Sequence, residues 1–359
     1  MVQPVNWIQM LKRIRMPTPK TGPWNLTDLK DIPKNGKTVF SCFHCGGGST
    51  MGYKLSGYEM LGGVEIDPEM MAIYRANHNP KHSYLMGVQD FWKIPNDQLP
   101  KELFELDILD GSPPCSSFSM AGSREDAWGE NKKFREGQAH QVLDDLFFDF
   151  IKIAKKLQPK IVVAENVKGL VMGKARGYVK QIFQKFNEAG YDVQLFLLNA
   201  AFMGVPQRRE RTFFVARRKD LKLTNLSMVF NEKTISLSDV VLKYEQNGKA
   251  IKDAKTLQIY NQTKPGQDFR SVAEKVFGKR CVLKQKINRL EPINTQTATT
   301  RLVSDLGPYE ISDVAVIRAQ SYPDDFNFLN QDPVYICGMS VPPYMMNRVS
   351  SAIYEQWLK

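Results

Sequence analysis

Three short runs in this chain carry residues able to do chemistry. The first, Asp110-Gly111-Ser112-Pro113-Pro114-Cys115, follows an apolar run at residues 106–109. Two prolines stiffen the loop and fix the direction of the cysteine behind them. A thiol at the end of a central strand can act as a nucleophile. A free cysteine titrates near ~8.5, so it needs an activating neighbour or an activated electrophile. Taken alone, a buried structural cysteine is the commoner outcome. The second run, Ala164-Glu165-Asn166-Val167, puts a carboxylate where an apolar strand ends. Desolvation there favours the protonated form and lets the group act as a general acid. A capping or salt-bridged glutamate fits the same pattern. The third, Gln207-Arg208-Arg209-Glu210-Arg211, precedes the last apolar strand. Its guanidinium forks suit a carboxylate, a phosphate or a base carbonyl, although a solvated charge cluster reads alike.

A fourth region has the marks of a cofactor site. Phe43-His44-Cys45-Gly46-Gly47-Gly48-Ser49 ends the first strand in a glycine turn, and the next predicted strand ends in Val64-Glu65-Ile66-Asp67. Glycines let a ligand approach the backbone, and a following helix offers N–H groups to an anion. An acid about twenty residues on commonly holds ribose hydroxyls. Together these predict an adenosine-containing cofactor. A packing turn and a surface acid remain the alternative.

The elements that must position these residues alternate. Apolar strands are predicted at residues 39–43, 63–66, 106–109, 161–164, 193–198 and 211–216, with helical periodicity at 141–157 and 177–189. Strand–helix alternation predicts an open parallel α/β sheet covered by helices on both faces, with ligands at the carboxyl ends of its strands. After Arg217 the character changes. Residues 218–290 carry a net charge of +9 out of +11 for the whole chain, and residues 1–37 carry +5. Basic charge gathered into two segments is the footprint of a phosphate-backbone binder, or of a basic surface with no ligand. Breaks at Asn247-Gly248, Pro265-Gly266 and Gly278 mark a smaller separate module. Helical patterning returns at 313–320 and 341–358.

The 359 residues allow two domains. No apolar run is long enough for a membrane span, and the basic N-terminus has no secretion-type apolar core. Five scattered cysteines fit a reducing cytoplasm better than a disulfide framework. Cys42 and Cys45 have CxxC spacing, but no second pair follows, so no metal site is expected.

Taken in order, the glycine loop, the acid after strand two, the PPC run, the ENV run and the QxRxR run resemble the DNA (cytosine-5)-methyltransferase family along nearly the whole chain. Later runs resemble it too: Phe118 to Arg124, Thr297-Ala298-Thr299-Thr300, Gln320 to Asp325, and Gly338-Met339-Ser340-Val341-Pro342-Pro343. The resemblance implies a Rossmann-like S-adenosylmethionine-dependent methyltransferase sheet with a smaller basic target-recognition domain. It implies Cys115 as the nucleophile, Glu165 as the proton donor to ring nitrogen 3, and Arg209 and Arg211 at the base, the latter on its carbonyl oxygen. S-adenosyl-L-methionine would lie against Phe43, Gly46, Gly47, Gly48, Glu65, Ile66, Ser112 and Pro113. Expected boundaries are a basic arm at 1–37, a catalytic domain at 38–217, a target-recognition domain at 218–329, and a return to the catalytic domain at 330–359. Residues 116–140 resemble the family's closing loop, and Arg270, Lys279 and Arg280 are candidate DNA readers. The expected partner is double-stranded DNA, with a companion restriction endonuclease as a further one, and a monomer is expected. An RNA cytosine-5 methyltransferase of the tRNA-modifying branch is the alternative. Three departures stand out. Ser41 replaces the family's aspartate and Cys45 a glycine in the first motif. Met339 replaces an asparagine. Val88 occupies the place of an acid near Gly87–Asp90.

Overall fold

The computed structural model describes residues 21–114, 145–172, 176–278 and 284–359, and the backbone of 131–132 and 141–142. A seven-stranded sheet forms the centre. Its strands are β1 (Thr38–Cys42), β2 (Glu59–Glu65), β3 (His82–Leu85), β4 (Ile108–Gly111), β5 (Ile161–Val167), β6 (Tyr191–Asn199) and β7 (Glu210–Arg218). Their spatial order is β3-β2-β1-β4-β5-β7-β6. β1 through β5 pair in parallel, whereas β7 runs antiparallel to both β5 and β6. The sheet is therefore mixed, not wholly parallel, because β6 and β7 follow each other with only a short connection and form a hairpin-like pair. β3 escaped the sequence reading. It is a short edge strand of His82-Ser83-Tyr84-Leu85, half-buried to exposed along its length, so it lacks the apolar run that marks central strands.

Side-chain alternation along the central strands splits the core into two layers. Val39, Ile108, Ile161, Val163, Phe213 and Val215 face one layer. Phe40, Cys42, Leu109, Val162, Ala164, Phe214 and Ala216 face the other. The first layer is covered by α1 (Gly48–Leu55), α2 (Pro68–His78) and a late helix, Pro343–Ile353. The second is covered by α3 (Leu146–Leu157) and α4 (Arg176–Glu188). α4 buries Tyr178, Ile182 and Phe186, a four-residue repeat that lays one stripe on the sheet. α2 starts where it does because the Asp67 carboxylate accepts from the Glu69 and Met70 N–H groups at 2.9 and 3.3 Å, with Pro68 at the first helical position.

A third, small apolar cluster lies between α5 (Ala254–Gln262) and α6 (Phe269–Phe277). It comprises Ile259, Tyr260, Phe269, Val272, Ala273 and Val303. Leu226, Met228, Leu237, Val240 and Val241 belong instead to the first sheet layer, as do Ile287, Ile293, Leu302 and Ile311. Three further helices follow: α7 (Asp313–Ala319), α8 (Pro333–Met339) and α9 (Pro343–Ile353). Within the stretch read as a basic arm, residues 21–37 pack onto the body. Trp24 is buried and donates to the Ser321 carbonyl at 2.9 Å, and Leu26 N donates to Asp325 at 2.6 Å.

Candidate active site

The strand order reverses between β1 and β4: β1 leads outward to β2, β4 outward to β5. Ligands of such sheets bind at that switch point, beyond the strands' carboxyl ends. Phe43, His44, Cys45, Gly48, Ser49, Asp110, Ser112 and Met339–Val341 line a pocket there.

The glycine turn is shaped as much by its neighbours as by any ligand. Gly47 has φ 91°, and a Cβ there would meet the His78 ring at 2.2 Å. A Cβ on Gly48 would meet the Val341 carbonyl oxygen at 2.3 Å. A Cβ on Gly46 would meet the Ile336 side chain at 2.8 Å. Cys45, standing where the family has glycine, takes the left-handed conformation itself at φ 48°, and Phe43 does so at φ 55°. The Cys45 thiol lies 3.5 Å from Met70 Sδ, and burial, followed by the Glu65 charge, pushes it up to about 12. It is inert as a nucleophile at neutral pH.

Glu65 is buried at the end of β2. One carboxylate oxygen accepts from Cys45 N at 3.0 Å, and the other from Ile66 N and Asp67 N at 2.9 and 3.0 Å. The side chain therefore holds the glycine turn against β2. Burial raises its pKa and the three N–H donors oppose that rise. His44 stacks on Tyr74 with ring centroids 3.7 Å apart. Burial pushes its imidazole down to about 4, and Nδ1 lies 3.0 Å from the Cys45 carbonyl. The ring is thus neutral with its proton on Nδ1, which leaves Nε2 a buried acceptor without a partner. Val88 is core, and Asp90 is exposed and pairs with Lys93, so the 87–90 segment brings no acid to the pocket. Met339 is on the pocket wall and 40% exposed.

Beside this pocket lies the second constellation. Glu165 and Arg211 are diagonal neighbours across the β5–β7 pair, where Glu165 lies opposite Phe213 and Arg211 opposite Val167. Arg211 Nε meets Glu165 Oε1 at 2.8 Å, with both side chains largely buried. The pair sets a carboxylate and a guanidinium side by side in a largely buried site. Asn166, which the sequence reading passed over, donates from Nδ2 to the Pro113 carbonyl at 3.0 Å. Its Oδ1 accepts from Val167 N at 2.8 Å. It ties the ENV strand to the PPC loop, two residues before Cys115. Cys115 and residues 116–130 and 133–140 of the loop lie outside the described residues, as do Lys279 and Arg280. Pro113 is buried at the loop's base, and Ser112 N donates to the Cys42 carbonyl at 3.4 Å.

Arg209 has a different setting from Arg211. It is 1% exposed, and its two terminal nitrogens donate to the carbonyls of Gln296 and Gly338 at 3.1 and 2.7 Å. Burial, then the Arg211 charge, lower its pKa. Gln207 continues the same seam, accepting from Gln296 N at 3.1 Å and donating to Gln320 Oε1 at 3.0 Å. Gln320 in turn reaches the Ser340 carbonyl at 2.8 Å. Arg209 therefore clamps residues 296 and 338 to the sheet. Arg209→Met should strand both carbonyls in a dry site and cost about 2–4 kcal/mol. A urea unfolding midpoint equal to wild type would show that the clamp contributes nothing.

On the side of α5 and α6, an open cleft of about 790 Å³ is lined by Arg208, Gln262, Lys264, Gln267, Lys275 and Asn288, among others. Pro265 and Gly266 form its turn, with Gly266 at φ 83°. Arg270 projects from α6, half-exposed beside Asp268 at 3.9 Å. Among the described residues, no group of His, Cys, Asp and Glu is arranged to hold a metal ion. No helix there is long and apolar enough to cross a membrane.

A glycine turn with Glu65 and Asp110 at the switch point of such a sheet is the arrangement of a nucleotide-cofactor site. Residues 38–355 match the C-5 cytosine-specific DNA methylase family, and the chain belongs to it. It is a DNA (cytosine-5-)-methyltransferase, and its methyl donor is S-adenosylmethionine. The Type II methyltransferase M.NgoPII of Neisseria gonorrhoeae is 29% identical over 89% of this chain and 96% of its own length. Among solved structures, a DNA modification methyltransferase encoded within an E. coli prophage has a similar fold. It superposes with TM-score 0.66 at 19% identity, over 90% of this chain and all of that one. Spodoptera frugiperda DNMT2 has TM-score 0.58 at 16% identity, over 89% of this chain and all of that one.

Proposed function

We propose that this chain methylates carbon 5 of a cytosine flipped out of a short specific sequence in double-stranded DNA, through a covalent Cys115 adduct. The observation that carries this reading is the buried Glu165–Arg211 pair, tied through Asn166 to the loop that ends in Cys115.

The pocket residues fit the methyl donor. Phe43, Gly48 and Ser112 line the pocket; with Gly46, Gly47, Ile66 and Pro113 they would hold the methyl donor, and Glu65 would take its ribose hydroxyls. S-adenosylmethionine supplies the electrophilic methyl group. Cys115 attacks carbon 6 as a thiolate, and Glu165 delivers a proton to nitrogen 3, so the ring becomes an enamine nucleophilic at carbon 5. Methyl transfer would leave S-adenosylhomocysteine; a base then removes the carbon-5 proton, carbon 5 and carbon 6 regain their double bond as the thiolate leaves, and the nitrogen-3 proton returns to Glu165. At the bound base Arg211 donates to the carbonyl oxygen and Glu165 faces ring nitrogen 3. Flipping costs a few kcal/mol of stacking and pairing, repaid by closure of the 116–140 loop and by the basic module's grip on phosphates.

Cleft residues such as Lys264, Gln267 and Asn288 are suited to phosphates and base edges. A companion endonuclease and a monomeric state remain part of this reading. Bisulfite sequencing of DNA from cells expressing the chain tests it, with tRNA from the same cells as the competing substrate. Converted cytosines throughout the DNA, with protected ones in tRNA, would transfer the reading to RNA.

Glu65 gives a narrower test. Glu65→Ala removes the ribose acid and also three bonds that shape the glycine turn. The affinity for S-adenosylmethionine should fall by about 1–3 kcal/mol. Calorimetry showing the wild-type value would place Glu65 outside the site.

A further inference from the structure

One charged group on the pocket wall has no place in the chemistry above. Asp110 ends β4 and is 1% exposed. It lines the pocket with Phe43, Gly48, Ser49 and Ser112. Its strand partner, in direct register, is Ser41. That is the position where the family resemblance expects aspartate. Ser41 Oγ donates to Asp110 Oδ2 at 2.7 Å, and Tyr53 OH to Oδ1 at 3.2 Å. Two hydroxyl donors aim the carboxylate without neutralising it, and each oxygen keeps a lone pair. Across the pocket mouth, α1 begins at Gly48, with its positive end toward the same space.

We propose that Asp110 is the partner of the cofactor's methionyl ammonium, so that the carboxylate lost from β1 at Ser41 is supplied by the neighbouring strand. A free amino acid end is a zwitterion. Its carboxylate suits the start of α1, and its ammonium needs a buried anion within the same pocket. Asp110 is the carboxylate so placed, with one donor on each oxygen, whereas Glu65, assigned above to the ribose, does not line this pocket. The inference rests on the cofactor pocket proposed above.

The ligand-free chain holds Asp110 at about 7: burial raises it first, the Ser41 and Tyr53 donors oppose, and the Glu165 charge adds to the rise. Around it, Cys42 on β1, Tyr53 on α1 and Tyr74 on α2 are all pushed upward by burial, and so stay neutral between pH 5 and 8. Glu165 on β5 is paired with Arg211. An arriving ammonium favours the ionised carboxylate, so binding releases a proton below about pH 7. Affinity should therefore rise with pH and level off above it.

Two probes separate the methionyl end from the adenosine end: S-adenosylhomocysteine, which carries the ammonium, and 5′-methylthioadenosine, which lacks the amino acid. Calorimetry on the wild-type chain should show homocysteine-probe affinity increasing about tenfold from pH 5.5 to 7.5, with the methylthioadenosine affinity flat. Asp110→Asn keeps size and an acceptor for Ser41. It should weaken the homocysteine probe 10- to 100-fold, abolish its pH dependence, and leave methylthioadenosine unchanged. Equal weakening of both probes, or of neither, would overturn the role of Asp110 while leaving the pocket in place. Wild-type chain that binds neither probe would remove the pocket reading and this inference with it.

Discussion

Cys115→Ser should reduce methyl transfer by more than about a thousandfold, while binding of the chain to DNA stays within a few-fold of wild type. The reason is ionisation. A thiol near its ordinary pKa of ~8.5 supplies a usable fraction of thiolate at neutral pH, whereas a serine hydroxyl supplies almost none. Residues that act as one catalytic unit lose nearly all activity together, so the loss should not be partial. The companion measurement is covalent capture. DNA carrying 5-fluorocytosine cannot lose the carbon-5 substituent, so wild type with S-adenosylmethionine should migrate as a denaturation-resistant complex and the serine variant should not. A wild-type chain that forms no such complex on DNA it methylates would exclude attack by Cys115.

Glu165→Gln should cost about 10²- to 10⁴-fold in kcat, the usual range for a positioned acid. Glutamine keeps the size and can still accept from Arg211 at the 2.8 Å position, but it has no proton to give to ring nitrogen 3. The affinity for DNA should change little, because the group is largely buried and faces no phosphate. The substitution also leaves Arg211 without an opposing charge, so thermal unfolding must be measured in parallel. A variant with wild-type kcat would pass the proton-donor role to another group. A variant that melts far below assay temperature would be read instead by 5-fluorocytosine capture at low temperature, where attack on carbon 6 should still be slowed.

The central strands were legible because burial on both faces demands nearly continuous apolar residues, as in Ile161-Val162-Val163-Ala164. The reacting groups were legible because loop positions carry chemistry in short runs. What escaped depends on register. No local pattern shows that Ser41 lies opposite Asp110, that Asn166 reaches Pro113, or that Glu165 meets Arg211 across an antiparallel pair. Arg209 and Arg211 differ by two residues and look equivalent in sequence. Arg209 lies at the turn just before β7 and Arg211 within it, so one ends among carbonyls and the other on a carboxylate. The charge boundary after Arg217 likewise says nothing about packing. Residues such as Leu226 and Val240 join the sheet's own core, and the separate apolar cluster begins only at α5.

The seam between the two ends of the chain sets a timetable for synthesis. Gly48 packs on the Val341 carbonyl, and Ser56 shares hydrogen bonds with Asn347, Ser350 and Ser351, about 290 positions later. At roughly 5–20 residues per second, the glycine turn waits about 15–60 s for the segment that completes its wall. A chain made only as far as β7 has its catalytic residues but not the wall that residues 341–351 supply. Folding of residues 341–351 onto the glycine turn, and not synthesis of the catalytic segment, is then the step that completes the pocket.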